Sequence, residues 1–202
     1  MSIHNRTNQC ALRRTCQFTI HTGSSSSPSG PSVDLGNRES YKGPQTIIIA
    51  GVTTAKVLIL YFSRTGNTEK MAKAVAEGAR LIEGIEAEMK YQTTPEELTT
   101  FDAIIIGTPT YHHDMNLDTK TLLEQAAVKN INLKDKIGAA FGSYGWSGEA
   151  PRLVLEVLRN KFLMRTLEPP LIIKYEPDER ALALCRELGK KVSEHVYSFP
   201  HD

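Results

Sequence analysis

A chain of 202 residues, 40% hydrophobic and 23% charged, is long enough for one or two domains and apolar enough to build a sizeable core. Its formal charge of +1 comes without a basic stripe, so no nucleic-acid partner is expected. No apolar run approaches the roughly 20 residues needed to cross a bilayer, so no membrane partner is expected either. The charge is uneven: residues 1–54 hold five basic and two acidic side chains, which leaves the rest of the chain slightly acidic.

Residues 1–46 show no core pattern. The serine run Ser24–Ser27 is followed by Pro28, Gly30, Pro31 and Gly36, no acid precedes Asp34, and Arg6, Arg13 and Arg14 are present. Such a segment buries too little apolar surface to offset its ordering entropy. Three readings stay open: a disordered tail, a start assigned too early with the true start near Val52, or an organellar transit peptide. Residues 1–54 are therefore read as a leader. The apolar patch Ile47–Ala50 is either an added strand or a linker. A folded domain is expected over residues 55–199.

From Ala55 onward strands and helices alternate. Val57–Phe62 is a continuous apolar run, as expected of a central parallel strand covered on both faces. Asn67–Ile82 is predicted helical, with Met71, Ala72, Val75, Ala76, Ala79 and Ile82 on one stripe. Ile85, Ala87, Met89 and Tyr91 alternate with Glu86, Glu88 and Lys90, which predicts a half-exposed edge strand. Thr94, Pro95, Glu96 and Glu97 read as a helix start with Thr94 as N-cap. Ala103–Ile106 is a second buried strand, Leu117–Val128 a helix, Ile137–Phe141 a strand, and Ser147–Phe162 a helix capped by Ser147. Leu171–Tyr175 is the last strand and Pro177–Val196 the last helix, with Ala181, Leu184, Cys185, Leu188 and Val192 facing inward.

Of the three cysteines, Cys185 reads as a small buried hydrophobe, while Cys10 and Cys16 fall in the leader. With no C-x-x-C pair and no metal-ligand spacing, a reducing, cytoplasmic compartment is expected. Five strands, with an edge-type strand second in the chain, match a doubly wound α/β parallel sheet of order 2-1-3-4-5. Ligands of such sheets bind beyond the carboxyl ends of the strands, where the strand order reverses. The loops after the first, third and fourth strands are the relevant ones.

The first loop, Ser63, Arg64, Thr65, Gly66, Asn67 and Thr68, joins a buried strand to a helix N-terminus. Hydroxyls, an amide and a glycine there make an anion nest suited to a phosphate monoester. The nucleoside-triphosphate and dinucleotide glycine patterns are both missing. The second loop is Thr108, Pro109, Thr110, Tyr111, His112 and His113, where Gly107 and Pro109 are expected to turn the backbone and the aromatic suits a flat ring. The two histidines are surface residues, or one of them handles a proton; a metal site would need a third ligand that is not evident. The third loop is Gly142, Ser143, Tyr144, Gly145, Trp146, Ser147 and Gly148, followed by Glu149. Its glycines permit backbone geometry closed to other residues. Trp146, the one tryptophan, either stacks on a ligand or plugs the core. Glu149 reads as an acid favoured by the helix dipole.

The segment Ile59–Val75 resembles the flavodoxin signature, an apolar strand followed by Ser63, Gly66, Thr68, Ala72 and Val75 at fixed spacing. Phe141–Ala150 is similar to the flavodoxin domain of A-type flavoproteins, the flavo-diiron oxygen and nitric oxide reductases. The resemblance begins at Lys56 and runs to about Val196, with Arg64-Thr65 a departure in the first loop. It implies a flavodoxin-like fold and FMN as cofactor, with the first loop on the phosphate and the other two beside the isoalloxazine. A carbonyl beside Gly107, Gly142 or Gly145 is a candidate acceptor for a protonated ring nitrogen. That family also carries a two-iron domain. Residues 1–54 are too short for it and no H-x-E-x-D-H string occurs, so diiron chemistry is not carried over.

No nucleophile or acid–base triad stands out. Three functions follow: an electron-transfer flavoprotein shuttling between a protein donor and acceptor; a flavin-dependent reductase or oxidase component acting on a quinone, oxygen or nitric oxide with a separate partner; or a non-catalytic regulator. The regulator is disfavoured because a phospho-receiver needs acids where Ser63-Arg64-Thr65 stands. A homo-oligomer is compatible with all three.

Overall fold

The computed structural model describes residues 54–198; the leader, the Ile47–Ala50 patch, Cys10 and Cys16 lie outside the described residues. Six strands form one parallel sheet: β1 (Ala55–Tyr61), β2 (Ile85–Lys90), β3 (Ala103–Gly107), β4 (Ile137–Tyr144), β5 (Arg165–Thr166) and β6 (Leu171–Lys174). Four helices connect or follow them: α1 (Asn67–Ala79), α2 (Leu117–Val128), α3 (Ala150–Asn160) and α4 (Glu179–Ser198). The order is β2-β1-β3-β4-β5, with β6 also paired to β4. This is the flavodoxin-like 2-1-3-4-5 sheet with its fifth position split in two. β5 pairs with Ile137 and Gly138, and β6 with Phe141 through Tyr144. The intervening segment contains Pro169 and Pro170, which have no N–H to give to a ladder.

Val57–Leu60 of β1 and all of β3 are apolar, because period-two alternation sends their side chains to two faces that are both covered. Val57, Ile59, Ile105 and Ala139 point to one face, where Met71, Val75 and Ala79 of α1 and Cys185, Val192 and Val196 of α4 cover them. Leu58, Leu60, Ile104, Ile106 and Ala140 point to the other, covered by Leu122 and Leu123 of α2 and Val154, Leu155 and Leu158 of α3. Cys185 is fully buried, and burial pushes its thiol up to about 12. β2 is an edge strand, paired only to β1 among the described strands, and alternates Ile85, Ala87 and Met89 against exposed Glu86 and Glu88.

Several local expectations shift. The helix expected to start at Thr94 is a single 3₁₀ turn, Glu97–Thr100, although the Thr94 hydroxyl does accept the Glu97 amide at 3.3 Å. α1 stops at Ala79 rather than Ile82, before the turn at left-handed Gly84. α3 begins at Ala150, so Ser147 does not cap it; Glu149 holds the cap position without a side-chain cap bond. α4 begins at Glu179, with the Asp178 carboxylate accepting the Ala181 amide at 2.8 Å. Leu184, expected inside, is 55% exposed. It lines a groove of about 620 Å³ beside Leu167, Pro169 and Leu171.

Candidate functional site

The carboxyl ends of the central strands lie level, with Tyr61 paired to Gly107, Gly107 to Phe141, and Phe141 to Leu171. The loops after β1, β3 and β4 therefore start side by side, at the edge of the sheet where the strand order reverses.

The first loop enters α1 through Gly66, which sits in the left-handed region at φ 86 with nothing within 4 Å of where a Cβ would stand. No side chain caps the helix. Its N-terminal end, with the positive end of the helix dipole, is left to another acceptor. Ser63 Oγ is buried without a hydrogen-bond partner among the described residues, while Arg64 and Thr65 are exposed and Asn67 is half-buried. Thr68 points elsewhere: its hydroxyl is buried and lies 3.1 Å from Ser143 Oγ, tying α1 to the end of β4.

In the second loop the Thr108 hydroxyl accepts the Asn116 amide at 3.2 Å, and Thr110 Oγ1 accepts the Ala150 amide at 3.3 Å. Both hydroxyls brace the loops from behind. Pro109 is buried and Tyr111 half-buried. The sharp turn comes later than expected. Tyr111 and Asp114 exchange backbone bonds of 3.0 and 2.9 Å, and His112 and His113 between them have φ of 48° and 64°. Two left-handed central residues make this a type I′ turn, with histidine among the non-glycine types that tolerate the region. Gly107 stays within β3, where its missing Cβ makes room for the Phe141 ring.

In the third loop, Gly142, Gly145 and Gly148 make no use of the positive φ open to glycine. Gly142 is required by crowding: a Cβ there would lie 2.0 Å from the Thr108 carbonyl oxygen. Ser143 is buried, Tyr144, Ser147 and Gly148 are half-buried, and Trp146 is 91% exposed, so Trp146 is not a core plug. Glu149 does more than favour a helix dipole. The Ser147 hydroxyl, and after it His113 with Nδ1 at 3.1 Å from Oε1, hold its carboxyl down at about 2. Across the turn, Lys120 at 2.9 Å and then the Met115 amide hold the Asp114 carboxyl below the usual range.

One contributor escaped the sequence reading. The segment after β6 reaches the third loop, with the Tyr175 amide donating to the Tyr144 carbonyl at 2.7 Å and Glu176 paired to Lys70 of α1. Its only sequence signal was position, the carboxyl end of the last strand. No group of three or more His, Cys, Asp or Glu among the described residues is arranged to hold a metal ion. No helix among them is long and apolar enough to cross a membrane.

The flavodoxin family model matches residues 59–189, which contain all three loops. This chain belongs to the flavodoxin family. The type A flavoprotein fprA of Rhodobacter capsulatus is 36% identical over 148 residues, 69% of this chain and 33% of that protein. The chain thus spans about a third of that relative and matches its flavodoxin domain alone. A flavodoxin of Aquifex aeolicus is 34% identical over 163 residues, covering 71% of this chain and 88% of that one. A solved flavodoxin from the domain Archaea superposes with a TM-score of 0.63 at 34% identity, over 70% of this chain and 99% of that one.

Flavodoxins bind FMN and transfer electrons to redox partners, and the family thereby implies FMN here. The residues present fit it. An uncapped helix N-terminus, an open left-handed glycine and the buried, unpartnered hydroxyl of Ser63 form a donor set for a phosphate monoester.

Proposed function

We propose that residues 55–198 form an FMN-binding electron-transfer unit that passes electrons between a protein donor and a protein acceptor. The observation that carries this reading is Ser63 Oγ, a buried hydroxyl with no partner among the described residues, beside an uncapped helix N-terminus, where a buried polar group left unpaired is costly. Ser63, Thr65, Gly66, Asn67 and the backbone of Thr68 would hold the phosphate, with Arg64 supplying positive charge. Thr108, Pro109, Thr110, Tyr111 and His112 would border one side of the ring, and Ser143, Tyr144, Gly145, Trp146, Ser147 and Gly148 the other. The bound flavin supplies the redox chemistry; the protein orients it and sets its electrostatic surroundings.

A second reading rests on the likeness to the type A flavoprotein: the unit delivers electrons to a separate partner that carries the chemistry on a small acceptor. Both readings need FMN. Titrating flavin-free protein with FMN and riboflavin tests them together, and equal affinity for the two would overturn the phosphate loop. A reductive titration then separates carriage from reduction. Two resolved one-electron steps support an electron carrier, and direct two-electron bleaching by NAD(P)H supports a reductase. Deleting residues 1–46 should leave FMN affinity and melting temperature unchanged; a loss of stability of several kcal/mol would move the domain boundary.

A further inference from the structure

We propose that His113 and Glu149 form a clasp that positions the Tyr111 turn against the Trp146 loop, and so sets how tightly the two sides of the site close on the flavin. The inference rests on the FMN reading above. The two residues lie 36 positions apart, on loops that leave different strands, and His113 Nδ1 stands 3.1 Å from Glu149 Oε1. With its proton on Nδ1 the ring donates to the carboxylate.

Two other bonds join these loops, from the Thr110 amide to the Ser143 carbonyl at 3.4 Å and from the Ala150 amide to the Thr110 hydroxyl at 3.3 Å. Both hold the base of the loops, next to the strands. The His113–Glu149 pair acts further out. It anchors a turn whose two central residues occupy the left-handed region, which side chains other than glycine adopt at a cost in backbone strain. The far side of the same turn is anchored separately, through Asp114 to Lys120 of α2. The Tyr111 turn is thus held from both sides, and only the Glu149 side connects it to the loop that carries Trp146. The other carboxylate oxygen, Glu149 Oε2, is buried without a hydrogen-bond partner among the described residues, so the bond to His113 is the side-chain bond that holds this carboxylate. His113 and Glu149 contact the loops rather than reacting atoms, so they are positioning residues.

The test is a double-mutant cycle on the full chain. His113→Asn keeps a residue type that tolerates the left-handed backbone and removes the ring; Glu149→Gln removes the charge. Each single variant should weaken FMN binding about two- to fivefold, the scale of an exposed pair. The double variant should be no weaker than either single, and all three variants should keep the circular dichroism spectrum of the folded wild type. In flavin-free protein, amide exchange at Tyr111 and Asp114 should quicken to the same extent in all three variants. The flavin midpoint potential should shift with the affinity, which a purely structural role would not produce. Independent effects that multiply in the double variant, or FMN affinity and amide exchange both unchanged from the wild type, would overturn the clasp. Wild-type protein that binds no FMN would instead overturn the reading of the site, and the cofactor role of the pair with it, while amide exchange would still report whether the two loops are clasped.

Discussion

Thr68 Oγ1 and Ser143 Oγ lie 3.1 Å apart, both buried, and join the first turn of α1 to the end of β4 across 75 positions of chain. Among the described residues each hydroxyl is the only side-chain hydrogen-bond partner of the other, so removing either strands its neighbour in a dry setting. Thr68→Val or Ser143→Ala should each cost about 1–3 kcal/mol, because an unpaired buried hydroxyl retains its desolvation penalty. The pair of substitutions together should cost less than the sum of the two. Urea unfolding of the three variants measures the coupling, and strict additivity would show that the hydroxyls do not depend on each other.

The glycines of the third loop should behave very differently from one another. At Gly142 a methyl group would meet the Thr108 carbonyl oxygen at 2.0 Å and Pro151 Cγ at 2.9 Å. Gly142→Ala must therefore push the second loop away, at a cost of roughly 1–3 kcal/mol or more. At Gly145 the nearest atom is a Tyr175 ring carbon at 3.8 Å, an ordinary contact. Gly145→Ala should change stability by no more than about 0.5 kcal/mol. Thermal unfolding of both variants tests the contrast, and equal losses would show that the loop is set by flexibility rather than by crowding.

Trp146 buries almost nothing against the protein, with 91% of its surface exposed. Trp146→Ala should leave the stability of flavin-free protein within about 0.5 kcal/mol of wild type. If Trp146 forms one wall of the proposed ring site, the same substitution should weaken FMN binding by roughly 1–3 kcal/mol, by analogy with bases stacked on aromatic side chains. Tryptophan fluorescence should fall as FMN binds and recover when it is removed. Fluorescence indifferent to FMN would remove Trp146 from the site.

Glu149 makes stability depend on acid pH in a defined direction. Its carboxyl is held at about 2, below the ordinary 4.5, first by Ser147 and then by His113. A folded-state value below the unfolded one contributes stability that is fully present above about 4.5. That contribution is lost as pH falls from there toward 2. The advantage of the wild type over Glu149→Gln in chemical denaturation should therefore shrink steadily across this interval and vanish at its acid end. An advantage independent of pH would mean that Glu149 acts through packing rather than charge.

The parts legible before any coordinates were those governed by local spacing. Val57–Leu60 and Ala103–Ile106 are apolar at every position because both faces of their strands are covered, and the alternation over Ile85–Met89 marked the edge. Gly66 at the entry to α1 could be read in the same way, since Ser63–Thr68 combines strand end, left-handed residue and helix start within six positions. The split of the fifth strand was harder to see, because Arg165–Thr166 is too short to show a period. Leu184 was misplaced because helical spacing names a face but not what lies opposite it, and Leu184 faces an open groove beside Leu167, Pro169 and Leu171.

The sequence by itself determined the order of the elements, the doubly wound topology and the three loops that meet at the carboxyl edge, since burial periodicity and turn chemistry act over a few residues. Tertiary structure alone decided which hydroxyls are left over and which are used up inside: among the described residues the buried Ser63 hydroxyl has no partner, while Thr68 is turned to Ser143 and Thr110 to Ala150. It also decided that Glu149 reaches His113 and that Gly142 is needed for space rather than for its backbone angles. The physical reason is common to all of these. Each is a contact between segments 30 or more positions apart, or the lack of one, and a side chain's partner across that distance depends on how the sheet brings the strand ends level.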